Sequence, residues 1–427
     1  MRIDPAGSIT GHIAVPGDKS ISHRALLIGA LTEGDVRVSG FGRSGDTEST
    51  LAAVRALGVL VDEPSEDELV VHGAGVSGLR EASGPVDCGN AGTLLRLLTG
   101  VLAGQRGRFE LTGDASLRSR PMGRVAEPLA RMGAKITTTE GAAPVVIEGS
   151  GSLRGIEYAL PVASAQVKSA ILLAALNAVG TTTVIEPTPT RDHTELMLQA
   201  AGARVRRRPS SVSIEPATRL RLEEVRVPGD FSAAAPFLVA ATLLAGSELT
   251  VHDIGLNPRR TGLLSVLERM GARISAYNRR RLGGEWVGDL SVRSAELVGT
   301  EVTADEVPLL VDELPLFALT AAFARGESRV TGAGELRVKE SDRIETVVSS
   351  LRTLGVRIRA RSDGYDVRGV PSRPRGGEMQ SAGDHRVAML GAVAGLVSRE
   401  GVEVGGADAV TISFPGFFDL LDSVSRR

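Results

Sequence analysis

The four residues Val-Pro-Gly-Asp stand at Val15–Asp18 and again at Val227–Asp230. Proline and glycine interrupt regular structure, and a long apolar run follows each copy, so each copy predicts the start of a similar half. Two similar domains joined by two strands would enclose a cleft, which is a frequent ligand site. The expected domains are 17–227 and 1–16 with 228–427, and the expected crossover hinges lie near 15–18 and 227–230.

An internal repeat extends this symmetry to six units. Each unit begins with an alanine- and leucine-rich run that opens on polar residues and ends near a glycine; these glycines lie 66 to 80 residues apart. Such runs are apolar on nearly every side, which is typical of helices buried in a core. The openers are Lys19-Ser20, Asn90–Thr93, Ser164–Gln166, Asp230–Ser232, Asp312-Glu313 and Asp384–Arg386, and the glycines are Gly34, Gly107, Gly180, Gly246, Gly326 and Gly401.

Each unit continues with a strand, and five units add an amphipathic helix that ends at a second glycine. Glycine suits the left-handed position that follows many helices. The pattern predicts an α/β protein of two similar three-repeat domains, with the sixth repeat cut short. The second glycines are Gly58, Gly133, Gly202, Gly271 and Gly355.

Composition excludes several classes of function. The net charge is −2, so no global field attracts nucleic acid, and 3% aromatic residues leave few rings to stack on bases. The single cysteine, Cys88, cannot form an internal disulfide and fits a reducing cytosol; a buried thiol and a reactive thiol both stay open. We expect no signal peptide, no membrane span, no metal and no cofactor.

Gly73–Gly78 matches a dinucleotide-binding fingerprint, but no long helix follows it, so that interpretation is rejected.

The polar openers indicate anion binding. A helix N-terminus carries free N–H groups and a partial positive charge. Lys19 and Ser20 fall in the first turn of a helix, and Arg24 lies on the same face. Pro121 suits a first helical position and would place Arg120 at another N-terminus.

Three further segments carry candidate groups. Lys339, Glu340 and Arg343 lead a helix, and Asp312-Glu313 precedes another. Combined with Lys19, a lysine and two carboxylates could divide general acid and base work. His385, beside Arg386, is either an acid–base group or a capping residue. Arg191 and His193 are candidate ligand residues, and Asp192 with Glu195 suggests a capping box.

These segments together resemble the 5-enolpyruvylshikimate-3-phosphate synthase family over nearly the whole chain. The resemblance implies two domains of three βαβαββ units each, with helices inside and sheets outward, an arrangement called an inside-out α/β barrel. It places the first short strand with the second half. The implied reaction moves the enolpyruvyl group of phosphoenolpyruvate to the 5-hydroxyl of shikimate 3-phosphate and releases phosphate. The matching segments are Pro16–Arg24, Gly89–Thr93, Leu111–Met122, Ser164–Ser169, Val338–Arg343, Asp384–Arg386 and Ser413–Phe417.

The resemblance also implies a role for individual residues. Lys19, Asp312 and Glu340 form the expected proton-transfer group. Shikimate 3-phosphate is expected on Ser20, Arg24, Ser164, Ala165, Gln166, Arg191, Asp312 and Lys339. Phosphoenolpyruvate is expected on Lys19, Gly92, Arg120, Gln166, Arg343 and Arg386.

Two alternatives stay open. One is a UDP-N-acetylglucosamine enolpyruvyl transferase, which usually has a reactive cysteine where Ser116–Pro121 has none. The other is a non-catalytic repeat scaffold, which predicts charges spread over outer faces. We expect small-molecule substrates, a monomer in the cytoplasm, no nucleic-acid or membrane partner, and competition by glyphosate against phosphoenolpyruvate.

Overall fold

A computed structural model describes residues 1–426 of the chain, which folds into two compact units. The N-terminal unit comprises Gly17–Val227 and Arg281–Glu285, and the C-terminal unit comprises Met1–Pro16, Pro228–Arg280 and the chain from Trp286 onward. Both main boundaries fall inside the Val-Pro-Gly-Asp copies. The five residues Arg281–Glu285 were expected in the C-terminal unit but belong to the N-terminal unit. There Glu285 accepts a hydrogen bond from His193 at 2.6 Å. The hinge role of the two copies stays a prediction.

The helices follow the repeat. Within residues 1–426 the α-helices are α1 (Lys19–Ala30), α2 (Gly45–Ala56), α3 (Gly92–Ala103), α4 (Ala115–Arg118), α5 (Gly123–Arg131), α6 (Ala165–Ala175), α7 (His193–Ala200), α8 (Phe231–Leu243), α9 (Gly262–Arg269), α10 (Val307–Leu310), α11 (Leu314–Phe323), α12 (Arg343–Thr353), α13 (His385–Val397) and α14 (Phe417–Val424), with 3₁₀ helices at Gly334–Val338 and Ala407–Ile412.

The strands complete the repeat. They are β1 (Arg2–Ile3), β2 (Ser8–Ile13), β3 (Glu33–Ser39), β4 (Leu60–Asp62), β5 (Glu68–Ala74), β6 (Val86–Asp87), β7 (Arg106–Thr112), β8 (Lys135–Thr139), β9 (Ala142–Ser150), β10 (Leu153–Arg154), β11 (Glu157–Ala159), β12 (Ala178–Val179), β13 (Thr182–Ile185), β14 (Val205–Arg208), β15 (Ser211–Ile214), β16 (Glu224–Arg226), β17 (Glu248–Gly255), β18 (Arg273–Leu282), β19 (Glu285–Arg293), β20 (Glu301–Val302), β21 (Gly326–Val330), β22 (Arg357–Arg361), β23 (Gly364–Gly369), β24 (Gly377–Gln380), β25 (Val402–Gly405) and β26 (Ser425–Arg426).

One sheet topology recurs. In the second repeat the spatial order is β6-β7-β9-β8, with β6 parallel to β7 and the other pairs antiparallel. The orders β11-β13-β15-β14 and β20-β21-β23-β22 are the same, and β2-β17-β19-β18 matches within a sheet that β26 extends. The sixth repeat is short, as expected, and β1 pairs with β25 beside β24.

The leading strands are exchanged at the crossovers. Strand β2 precedes α1 in the chain but pairs in parallel with β17 of the C-terminal unit. Strand β16 precedes α8 but pairs in parallel with β3 of the N-terminal unit. Ladder hydrogen bonds therefore hold the strand that leads into each crossover. The expectation that the first strands belong with the second half is confirmed.

The first helix of each repeat is buried nearly along its whole length, as predicted. In the C-terminal unit α8, α11 and α13 contact one another, and in the N-terminal unit α3 contacts both α1 and α6. Each unit has its own apolar core around these helices. The five second glycines each follow a helix C-cap with φ between 86° and 98°, which confirms their predicted role. Among the described residues no helix is long and apolar enough to cross a membrane.

Close backbone packing at the first crossover requires glycine. A Cβ added to Gly17 would lie 1.9 Å from the carbonyl oxygen of Gly40, and one added to Gly42 would lie 2.1 Å from that of Gly17. Real Cβ atoms do not approach backbone oxygens so closely. The segment therefore cannot accept a side chain without moving backbone.

We predict that Gly17→Ala lowers the free energy of unfolding by about 1–3 kcal/mol, because the added Cβ would clash with the Gly40 carbonyl oxygen and force the backbone to shift. Urea unfolding would measure it. Gly123→Ala is the matched control, since a Cβ there meets nothing within 4 Å and alanine favours a helix. Equal stability of the two variants would contradict the prediction.

Candidate active site

Helix α1 presents a lysine at its first turn, as predicted. The Asp18 side chain caps the helix by accepting the Ile21 N–H at 2.9 Å. Lys19 is the first helical residue, and its Nζ lies 2.7 Å from Asp46 Oδ2. The cap and the ion pair hold this ammonium group at the N-terminus of a buried helix, where an anion is favoured.

Arg24 lies one turn further along α1, and its side chain is buried. Its guanidinium donates to Thr194 Oγ1 at 2.7 Å, to the Ser20 carbonyl oxygen at 2.8 Å and to Ser169 Oγ at 3.0 Å. Burial lowers the pKa of Arg24 to about 10, against the opposing charges of nearby carboxylates, and Arg191 also lowers it. The charge of Arg191 thus acts against the charge of Arg24, and a bound phosphate would offset both charges.

Arg120 and Gly92 meet at the start of α3. Arg120 Nη2 donates to Asn90 Oδ1 at 2.7 Å and to Ser116 Oγ at 3.1 Å. A Cβ at Gly92 would lie 2.7 Å from Arg96 Nη1 and 3.1 Å from Arg120 Nη1, so glycine lets two guanidinium groups approach the start of α3. The helix prediction here was wrong: α5 begins at Gly123, and Arg120 and Pro121 lie in the connection after the short helix α4.

Helix α6 begins at Ala165, and the Ser164 hydroxyl accepts the Val167 N–H at 3.4 Å. Gln166 donates from Nε2 to Thr93 Oγ1 at 2.9 Å, and its Oε1 accepts from Arg96 at 2.9 Å. These bonds fix the amide at the starts of α3 and α6. Arg96 was missed because it lies within the apolar run that follows the opener Asn90–Thr93, and its contact with Gln166 joins residues that are distant in sequence.

Arg191 directly precedes the N-cap of α7. The predicted capping box is wrong: Asp192 occupies the cap position, but its side chain pairs with Arg207 at 2.7 Å. Glu195 instead pairs with Lys168 at 2.8 Å. His193, the other ligand candidate here, is buried, and its Nδ1 lies 2.6 Å from Glu285 Oε1. This contact links two buried side chains of the N-terminal unit.

The C-terminal unit gathers three carboxylates around Arg343. Its guanidinium holds Asp384 through two bonds of 2.8 and 3.2 Å. It also contacts Glu340 at 2.6 Å and Asp312 at 3.4 Å. Burial acts to lower the pKa of Arg343, but the charges of Asp384, Glu340 and Asp312 raise it above its usual value. Arg343 therefore stays charged and holds Asp312 and Glu340, two of the predicted proton-transfer groups, in one cluster.

The start of α13 lies beside this cluster. Asp384 is the N-cap and accepts the Arg386 N–H at 2.9 Å. The capping role considered for His385 thus belongs to Asp384. Arg386 is buried, and its Nη1 donates to the Ser232 carbonyl oxygen at 3.4 Å. Lys339 and Glu340 lie between the 3₁₀ helix and α12, not in a helical turn as predicted.

Sequence reasoning missed a buried ion pair in the same unit. Arg260 donates to both oxygens of Glu313, at 2.9 and 3.2 Å, and also contacts Ser232 and Asp230. The Glu313 carboxylate is thus paired with Arg260 in the core of the unit, whereas its neighbour Asp312 contacts Arg343. Nothing in the sequence around Arg260 signalled this pairing.

The remaining candidates are resolved by burial. Cys88 is fully buried, and burial raises the pKa of its thiol well above the usual value, so the buried-thiol interpretation holds. Among residues 1–426, no group of three or more histidine, cysteine, aspartate or glutamate side chains has the arrangement to hold a metal ion.

Comparisons with known proteins identify the family of the chain. A family model for EPSP synthase (3-phosphoshikimate 1-carboxyvinyltransferase) matches residues 3–421. The chain belongs to this family.

Curated relatives and solved structures support the assignment. A 3-phosphoshikimate 1-carboxyvinyltransferase from Alkalilimnicola ehrlichii is 50% identical over 98% of this chain and 94% of its own length. One from Halorhodospira halophila is 50% identical over 98% and 95%. The EPSP synthase structure from Acinetobacter baumannii has a TM-score of 0.88 at 42% identity, covering 99% of this chain and 97% of its own.

A more distant structure shares the fold alone. The enolpyruvyl transferase NikO from Streptomyces tendae has a TM-score of 0.78 at 18% identity and covers 99% of this chain and 96% of its own. The two-domain α/β fold expected from the sequence is therefore confirmed.

The predicted site residues divide between the two units, and the two sets are called the N-terminal and the C-terminal cluster below. The N-terminal cluster holds Lys19, Ser20, Arg24, Gly92, Arg120, Ser164, Ala165, Gln166 and Arg191, and the C-terminal cluster holds Asp312, Lys339, Glu340, Arg343 and Arg386.

His23 gives the N-terminal cluster a predictable response to acid. It is buried and lies 2.6 Å from Thr50 Oγ1. Burial, with the charges of Lys19 and Arg24, lowers the pKa of His23 well below its usual value. Below about pH 6.5 the unfolded chain therefore takes up a proton that the folded chain does not. The free energy of unfolding then decreases as the pH is lowered, by at most about 1.4 kcal/mol per pH unit.

We predict that His23→Asn reduces this loss of stability between pH 7 and pH 5, as urea unfolding would show. His72→Asn is the control with opposite sign: contacts with Asp62 and Asp35 raise the pKa of His72. That ring stabilises the fold below about pH 6.5 and loses its effect as the pH rises through the folded-state pKa. A parent chain and His23→Asn with the same pH dependence would refute the prediction.

Proposed function

We propose that the chain transfers the enolpyruvyl group of phosphoenolpyruvate to the 5-hydroxyl of 3-phosphoshikimate and releases phosphate. The family match over residues 3–421 carries this proposal. The two clusters support it, because both substrates are phosphorylated acids and the clusters offer cations together with carboxylates. The same match favours it over a nucleotide-sugar transferase or a scaffold.

The ligand roles implied by the resemblance become part of the proposal. Ser20, Arg24, Ser164, Ala165, Gln166, Arg191, Asp312 and Lys339 bind 3-phosphoshikimate. Lys19, Gly92, Arg120, Gln166, Arg343 and Arg386 bind phosphoenolpyruvate. The like charges of Arg24 and Arg191 suit a phosphate, and the guanidinium of Arg120 beside Gly92 suits a small anion.

The reaction balances with three proton-transfer groups. Asp312 takes the hydroxyl proton as the substrate oxygen bonds to the enol carbon, while Glu340 gives a proton to the methylene carbon. In the second step Glu340 takes a proton back from that carbon, the double bond re-forms, and the carbon–oxygen bond to phosphate breaks as Lys19 gives a proton to the departing phosphate oxygen. Asp312 then loses its proton to solvent, and Lys19 regains one from solvent, which restores both groups. Lys19 stabilises charge that develops on the oxygens. Arg343 supports these roles by fixing both carboxylates.

Substrate identity is tested by phosphate release. The purified chain with phosphoenolpyruvate should release phosphate when 3-phosphoshikimate is added, and not when UDP-N-acetylglucosamine replaces it. Thermal-shift measurements should show stabilisation by 3-phosphoshikimate and none by the nucleotide sugar. The reverse pattern would favour the alternative transferase, and no response to either would favour the scaffold.

The role of Glu340 is tested by Glu340→Gln. Turnover should fall by about 10²–10⁴-fold, the usual contribution of a positioned acid–base group, while 3-phosphoshikimate binding measured by calorimetry stays within about threefold, since the amide keeps the shape of the side chain. Glu345→Gln is the matched control, because Glu345 is exposed on α12 and pairs weakly with Arg337 at 3.6 Å. Near-normal turnover of Glu340→Gln would refute the role.

Three further expectations stay predictions. They are the monomeric state, the cytoplasmic location and competition by glyphosate against phosphoenolpyruvate. Light scattering during size-exclusion chromatography would test the first, and inhibition kinetics the last.

A further inference from the structure

Three charged side chains that the proposed reaction does not use are buried together in the N-terminal unit. Lys168 on α6 has no exposed surface, and its Nζ lies 2.9 Å from Glu186 Oε1 and 2.8 Å from Glu195 Oε1. Both carboxylates are also buried. Replacing buried ion pairs by apolar groups is often neutral or stabilising, so stability alone does not explain this cluster. Its connections suggest another purpose.

The first connection leads to Arg191. Lys168 Nζ donates a third hydrogen bond, at 3.4 Å, to the Thr190 carbonyl oxygen, which uses all three ammonium donors. Glu186 Oε1 accepts the Thr190 N–H at 3.0 Å and its hydroxyl at 2.5 Å. The turn from Glu186 to Thr190 is therefore closed by Lys168 and Glu186, and Arg191 is the next residue.

The second connection leads to Arg24. Ser169 follows Lys168 on α6, and Thr194 precedes Glu195 on α7. The hydroxyls of Ser169 and Thr194 lie 2.7 Å apart, and both accept hydrogen bonds from Arg24, at 3.0 and 2.7 Å. Each helix thus contributes two adjacent residues, one to the buried cluster and one to Arg24.

These contacts suggest why a cation is buried at this point. Arg24 and Arg191 repel each other, since the charge of Arg191 disfavours the charged form of Arg24. Two cations that must bind one anion need rigid support before the anion arrives. The Lys168 cluster joins α6, α7 and the turn before α7 through charge-assisted bonds, which are stronger than neutral ones.

We propose that Lys168 is a positioning residue for 3-phosphoshikimate, which sets the spacing of Arg24 and Arg191 through Glu195 and Glu186. The proposal rests on the proposed function. It assigns Lys168 no contact with substrate. Its effect should therefore be selective for the anion that Arg24 and Arg191 bind, and should leave the groups around Arg120 unaffected.

The test is Lys168→Met, which keeps the length of the side chain and removes its charge. The dissociation constant of 3-phosphoshikimate, measured by calorimetry, should rise by about tenfold to a hundredfold, as expected for a small misplacement of binding groups. The KM for phosphoenolpyruvate at saturating 3-phosphoshikimate should change by less than about threefold, because the groups around Arg120 keep their contacts.

Two further variants separate a loss of 3-phosphoshikimate binding from a general loss of stability. Leu172→Ala removes a fully buried side chain from the same helix; it should lower the melting temperature but leave both substrate constants unchanged. Thr190→Val removes one hydrogen bond to Glu186 and keeps the ion pairs. It should weaken 3-phosphoshikimate binding by about threefold to tenfold, the loss expected for one hydrogen bond, and it serves as the test if Lys168→Met does not fold.

The outcomes separate this inference from the proposed function. A parent chain that neither binds nor converts 3-phosphoshikimate would refute the proposed function. A parent chain that does both, with Lys168→Met or Thr190→Val binding 3-phosphoshikimate equally well, would refute the positioning role alone. Equal losses for both substrates, or the same losses in Leu172→Ala, would also refute it.

Discussion

The burial of the first helix of each repeat constrains the rest of the structure. A helix that is apolar on nearly every side has its unsatisfied N–H groups and most of its polar side chains at its ends. Chemistry is therefore concentrated at helix starts, as at Lys19 on α1, Gln166 on α6 and Arg386 on α13. The apolar core and the polar clusters are two consequences of one pattern.

Burying charge at these starts requires compensation, and the two units achieve it differently. In the C-terminal unit Arg343 is surrounded by three carboxylates, which raise its pKa above the usual value despite burial. In the N-terminal unit Arg24 has hydroxyl and carbonyl partners, and burial lowers its pKa to about 10. Arg24 is thus held by neutral hydrogen-bond partners, whereas Arg343 holds three carboxylates directly.

Much of this could be predicted from the sequence, because its causes are local. The buried helices follow from apolar runs, and the second glycines follow from helix-end geometry, as at Gly58 and Gly133. The lysine and arginine of α1 follow from their spacing. The family motifs then implied the proposed site residues, including Arg120 and Lys339, whose local structure was predicted wrongly.

The failures share a physical cause, which is that tertiary partners override local preference. Asp192 and Glu195 have the spacing of a capping box, but each finds a stronger partner of opposite charge, Arg207 and Lys168, that is distant in sequence. The partner of Arg96, Gln166, is likewise distant in sequence. A charged residue within an apolar helix must be paired when buried, so its presence in a sequence does predict a partner, although not which one. Lys168 within α6 follows this rule, and the side chains it pairs with lead directly to Arg24 and Arg191.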